Sequence, residues 1–167
     1  MKKYHTGMYG GKFLPFHKGH RYCAEYAAAE CDIVYVILFY GGPEEEKICG
    51  ASPEIWLSPG ERMRQIRKIC AELSGTAVMV AASIDISRLR LADGSEDWEA
   101  ETPLVRKLLG EQLSAVYSSE VSYGEYFAEA YPEAEHRLVD VPRIHYPISG
   151  TKLREMEDYE NRKEWMV

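Results

Sequence analysis

A chain of 167 residues, 46% hydrophobic and 28% charged, has the make-up of one globular domain (1–167) able to bury a substantial core. Its 27 acidic against 20 basic residues give a formal charge of −7, which argues against a nucleic-acid partner, because such binders present a basic face. No signal-type stretch follows the N-terminus and no apolar run nears the ~18 residues of a membrane span, so a cytoplasmic location is expected.

Tyr4 to Gly10 reads as the first strand, and Lys18 to about Glu30 as a helix with Ala24, Ala27, Ala28 and Ala29 on a closely packable face. Between them runs Gly10-Gly11-Lys12-Phe13-Leu14-Pro15-Phe16-His17-Lys18-Gly19-His20. His17 and His20 are three residues apart, so in a first helical turn they share a face and both imidazoles are expected to meet one object. A helix N-terminus carries unpaired N–H groups and a partial charge of roughly +0.5, so that object is an anion. Gly11 and Gly19 let it approach the backbone. The stretch reads as a phosphate cradle for a nucleoside triphosphate; the plainer alternative is that the two histidines cap and pack the helix.

Asp32 to Tyr40 is a near-continuous apolar run, suited to a strand buried on both faces of a parallel sheet. Residues 41–57 read as irregular, with Glu44-Glu45-Glu46 as a solvated charge run. Ser58-Pro59-Gly60-Glu61 is a capping box opening a basic helix to about Leu73, with Met63, Ile66, Ile69 and Cys70 inward. Thr76 to Ile84 is a third strand. A polar loop over 85–97 is longer than most such connections and so a candidate for function. A helix from about Asp97 to Leu113, a strand over Ala115–Ser119, a helix over Tyr123–Tyr131 and a strand over Arg137–Val141 follow. A last helix is expected from Ser149 to about Asp158, and residues 159–167 are compatible with helix.

Strand and helix alternate, which implies a doubly wound five-stranded parallel sheet with right-handed crossovers. Ligands of such sheets bind at the carboxyl ends of the strands. The histidine motif, the start of the basic helix, the long loop, Ser118-Ser119-Glu120 and Ser149 all fall on that rim. Cys23, Cys31, Cys49 and Cys70 form no C-x-x-C pair or metal-ligand spacing and read as reduced thiols. Ile148-Ser149-Gly150-Thr151-Lys152-Leu153-Arg154 is the second anchor. There Ser149 or Thr151 caps a helix and offers a hydroxyl to phosphate, while Arg154 lies on the same face with a fork suited to it. Alone, this segment reads equally well as a capped helix with a surface arginine.

Gly-x-Phe-x-Pro-x-His-x-Gly-His followed some 130 positions later by Ile-Ser-x-Thr-x-x-Arg resembles the nicotinamide-nucleotide (NMN) adenylyltransferases of the HxGH nucleotidyltransferase superfamily. Pro59-Gly60-Glu61-Arg62-Met63 resembles a segment of the small members, and Tyr117-Ser118-Ser119-Glu120 looks closer to the adenylyltransferase domain of the NadR type. The resemblance implies a Rossmann-like nucleotidyltransferase fold and adenylyl transfer from ATP to NMN. It implies His17, His20 and Arg154 as catalytic residues. ATP would be bound by Gly11, Lys12, Phe13, Gly19, Arg62, Ser119, Ile148, Ser149, Thr151 and Arg154, and NMN by Tyr40, Trp98 and Glu120. Mg²⁺ would arrive on the ATP phosphates, without a protein metal site. Position 150 departs from the pattern, being glycine where many members have a hydroxyl residue. Transfer to another phosphorylated acceptor, and a non-catalytic module that senses NAD or ATP, are the competing readings; self-association is left open.

Overall fold

The computed structural model describes all 167 residues. Five strands, β1 (Tyr4–Gly11), β2 (Cys31–Tyr40), β3 (Val78–Asp85), β4 (Ala115–Ser118) and β5 (Glu135–Leu138), form one sheet in the order β3-β2-β1-β4-β5. Every pairing is parallel. The order runs outward in both directions from β1, so the crevice between the carboxyl ends of β1 and β4 is the topological switch point.

Helices α1 (Lys18–Glu30) and α3 (Pro59–Leu73) cover one face of the sheet, and α4 (Trp98–Leu109) with α5 (Gly124–Ala130) the other. The alternation of β2 divides the core accordingly. Val34, Val36 and Leu38 pack with Cys23, Ala24 and Ala27 of α1 and Ile66 and Ile69 of α3. Ile37 packs with Val105 and Leu109 of α4, joined by Tyr35 and Phe39. A strand buried on both faces needs this continuous apolar sequence. No helix is long and apolar enough to cross a membrane.

Four sequence expectations change. The 41–57 segment contains a helix, α2 (Pro43–Cys49), with proline at its first position and the three glutamates in its first turn, where they complement the helix dipole. Glu45 is not solvated but buried, and pairs with Arg62. Helix α4 stops at Leu109 instead of Leu113 because Gly110 takes a left-handed conformation (φ 66°) and closes it. Strand β5 lies two to three residues earlier than expected. Asp140, itself at φ 48°, turns the chain there, and its carboxylate accepts from the N–H groups of Ile144, His145 and Tyr146. The last helical region is broken into α6 (Gly150–Glu155) and α7 (Tyr159–Lys163).

Candidate active site

A cavity of about 300 Å³ opens at the switch point. Tyr9–Leu14 at the end of β1 and just past it, Ser118–Glu120 at the end of β4, and Ser149 with Gly150, Thr151 and Arg154 at α6 border it together with Gly19 and His20 of α1. Segments 130 positions apart in sequence thus share one wall.

His20 lines the cavity and His17 does not. The ring of His17 is turned inward as the cap of α1: its Nδ1 accepts from the Gly19 N–H (3.1 Å), and its own N–H donates to Nδ1 of His20 (3.1 Å). The two rings stack, with centroids 3.6 Å apart. The expectation that both imidazoles face one cavity is therefore corrected: the His17 ring is taken up by capping, and the cavity-facing ring is His20. Burial, with Arg143 nearby, depresses the His17 pKa to about 3. Burial first, and then His17 and Arg143, hold His20 well below the ordinary histidine range. Both rings are neutral at physiological pH. With Nδ1 of His20 accepting, its proton sits on Nε2, which makes that atom the donor.

An aromatic frame holds His20. Phe13, Phe16 and Tyr9 lie with centroids 4.8, 5.4 and 6.5 Å from its ring. Phe13 adopts φ 50°, a left-handed conformation that is costly for a side-chain-bearing residue, and its ring is locked by edge contacts to Tyr9 and Phe16. Arg154 donates from one guanidinium nitrogen to the Leu14 carbonyl (2.6 Å) and from the other to Thr151 Oγ1 (3.3 Å), tying the second anchor to the first. Ser149 caps α6 by accepting from the Lys152 N–H (3.2 Å). The departure at position 150 has a steric reason. A Cβ there would meet the Leu14 oxygen at 2.7 Å and Arg154 at 2.9 Å, so only glycine leaves room for the bond between the anchors. Gly19 is similarly confined by the His17 ring at 2.8 Å.

Three further expected residues stay outside the cavity. Arg62 falls on the inward stripe of α3 with Ile66 and Ile69 and is fully buried. Its guanidinium pairs with Glu45 and donates to the Lys12 carbonyl (2.7 Å), and burial lowers its pKa to about 10. It holds the Lys12 loop from beneath, outside the cavity lining. Tyr40 and Phe39 are successive strand residues and point to opposite faces; Phe39 lines the cavity and Tyr40 packs toward the α1/α3 core. Ile148 is buried, and its carbonyl accepts from Arg143 (3.0 Å).

Along the β4 side, Ser119 donates to the Val139 carbonyl (2.8 Å) and Glu120 pairs with Arg143 (3.2 Å). Past β1 the lining changes character. Trp98 at the start of α4 lies against Tyr123 (5.1 Å) and edge-on to Tyr126 (5.0 Å). Lys12 reaches into this end, pairing with Glu96 (3.0 Å) and Glu44 (3.5 Å) above the Trp98 ring. Burial alone would lower the Lys12 pKa, but these carboxylates outweigh it and raise it. Glu101, Tyr123, Tyr126 and Arg143 were not anticipated from sequence. The readable signal was Glu101, an acid on the stripe that otherwise carries Trp98, Val105 and Leu109. No group of three or more His, Cys, Asp or Glu side chains is arranged to hold a metal ion.

The model of a family described as cytidylyltransferase-like matches residues 8–156. Curated proteins offer no match. Among solved structures, NadR protein in complex with NAD and AMP-PNP superposes with a TM-score of 0.61 at 20% identity, over 93% of this chain and 43% of that one. A bifunctional NMN adenylyltransferase/ADP ribose pyrophosphatase from Francisella tularensis, complexed with AMP and a manganese ion, gives 0.60 at 18%, over 98% and 44%. The nicotinic acid mononucleotide adenylyltransferase of Plasmodium falciparum, complexed with APC, gives 0.54 at 11%, over 98% and 90%. This chain spans less than half the length of the first two, and at such identities the likeness is one of fold. A family model that runs from β1 through α6, over a parallel sheet of the nucleotidyltransferase kind, leaves one assignment: the chain belongs to the cytidylyltransferase-like family.

Proposed function

We propose that the chain transfers the adenylyl group of ATP to the phosphate of nicotinamide mononucleotide, giving NAD and pyrophosphate. The observation that carries this reading is the shared cavity: His20 of the first motif and Thr151 and Arg154 of the second border it at one end, with Trp98, Tyr123 and Tyr126 at the other. A polyanion fits the first end, and a flat ring on a phosphorylated ribose fits the second.

In the proposed step an oxygen of the acceptor phosphate attacks the α-phosphorus of ATP in line. The bond from that phosphorus to the β-phosphate bridging oxygen breaks, and its electron pair leaves with pyrophosphate. The attacking phosphate is already anionic, so no general base is required. The protein's task is positioning and stabilising charge on the leaving oxygens. His20, as a neutral Nε2–H donor, and Arg154, pre-set by its bond to Leu14, are placed for that work. Mg²⁺ enters with ATP as part of the substrate, ligated by triphosphate oxygens and water; of the cavity's carboxylates, Glu44 and Glu96 are engaged by Lys12 and Glu120 by Arg143.

A screen of nucleotides against acceptors tests the reading. Pyrophosphate release, with the dinucleotide identified by mass, is expected with ATP plus nicotinamide mononucleotide. Release with another nucleotide and acceptor pair only would replace the reading, and binding of NAD without any turnover would mark a sensor.

A further inference from the structure

Glu101 is the one carboxylate of the cavity wall that is buried, at 6% exposed, and its Oε1 has no hydrogen-bond partner. Its neighbours there are Glu96, Lys12, Asp97 and Tyr126. A buried polar atom without a partner is costly, and native structures keep few of them. Helix-dipole complementation does not account for it, because Glu99 occupies the same first turn of α4 while exposed to solvent. Nor is Glu101 neutralised by an ion pair: Lys12, the nearest cation, is held by Glu96 at 3.0 Å and Glu44 at 3.5 Å. The atom lies in the same wall as Trp98 and Tyr126, where the acceptor's ring is placed by the function proposed above.

Resting on that reading, we propose that Glu101 is a specificity-determining residue: its Oε1 accepts a hydrogen bond from the carboxamide of a nicotinamide nucleotide and rejects an acceptor bearing a carboxylate at that position. An amide N–H₂ satisfies the orphan oxygen. A carboxylate offers no donor to that oxygen and meets the charge of Glu96 with charge of the same sign. Burial, followed by a hydrogen bond with Glu96, pushes the Glu101 carboxyl up to about 8 while Lys12 pulls it down. The ring of a nicotinamide nucleotide is itself cationic, which the surrounding carboxylates favour.

The test compares kcat/KM for nicotinamide mononucleotide and nicotinic acid mononucleotide, with saturating ATP, in the wild-type protein and in Glu101→Gln. The wild type is expected to favour the amide by about tenfold or more, since sites built around one hydrogen bond discriminate strongly. In Glu101→Gln, whose side chain offers N–H groups to a carboxylate, that ratio should fall by about tenfold. Equal use of both acceptors by the wild type, or an unchanged ratio in the variant, overturns the role of Glu101 while leaving adenylyl transfer intact. Turnover of neither acceptor overturns the functional reading and the proposal with it. A measurement on the wild type alone guards against a variant that fails to fold. Nicotinamide mononucleotide should raise the melting temperature more than the acid at equal concentration; equal shifts overturn the proposal.

Discussion

The two ends of the cavity are built in opposite ways. The phosphate end comes from two short motifs whose residues are bonded to one another: Arg154 to Leu14, Arg154 to Thr151, Gly19 to His17, His17 to His20. The ring end comes from side chains of several separate elements, with Trp98, Tyr123 and Tyr126 in contact through their faces and edges. Their charges differ too. Neutral imidazole and a guanidinium mark one end, while Glu44, Glu96 and Glu101 crowd the other around a single ammonium. A net charge of −7 therefore says little about what an individual site attracts. The difference teaches that the end proposed to hold the phosphates is fixed by local bonding, whereas the end proposed to choose the acceptor depends on packing.

The strongest way to break this comparison lies beneath the phosphate end. Arg62 holds the Lys12 carbonyl from within the core and is neutralised by Glu45. Arg62→Ala leaves that carboxylate buried without its cation, held only by the Gly41 N–H, which costs about 3–5 kcal/mol. A large fall in the urea midpoint is expected. A midpoint within experimental scatter of the wild type would mean that the buried pair does not hold the loop.

Next in size is the effect on chemistry. His20→Ala removes the Nε2–H donor proposed to meet the triphosphate, and kcat should fall by roughly 10²-fold or more, at ~1.4 kcal/mol per decade. The fold should survive: the variant loses the bond from the His17 backbone N–H to His20 but keeps the His17 side chain as the cap of the Gly19 N–H. Circular dichroism and steady-state kinetics on the same preparation separate the two effects. Retention of normal kcat would remove His20 from the mechanism.

The same contrast explains what the sequence made legible. Local signals carried the sheet: the apolar run of β2, the Ser58 cap and the Gly10–His20 stretch each report within a dozen residues. The resemblance joined the two motifs, and the structure sets His20, Gly11, Lys12, Phe13, Gly19, Ser119, Ser149, Thr151, Arg154, Trp98 and Glu120 around one cavity. Side-chain direction was not legible. Spacing by three put His17 beside His20 but could not reveal that capping turns one ring inward. Arg62 was placed at ATP by the resemblance, which took no account of its position on the Ile66/Ile69 stripe, and its partner Glu45 was hidden in a run that looked solvated. Glu101 escaped notice for the complementary reason: a lone acid gains meaning only when the aromatic residues of α5 and the segment before it close around it.

The smallest effect probes the ring end directly. Trp98 forms part of the cavity wall, and its ring is braced by Tyr123 and Tyr126. In Trp98→Ala the backbone carbonyl that accepts from the Tyr126 hydroxyl (2.8 Å) remains, so the wall should lose a stacking surface without losing its anchor. The KM for the acceptor should rise by about tenfold, the worth of roughly one aromatic contact plus its burial. The KM for ATP should stay near its wild-type value because no phosphate-end bond passes through Trp98. That split is the sharpest form of the comparison. Should both KM values rise together, the two ends would be one mechanically coupled unit; should the ATP value alone rise, the ring end would be misassigned.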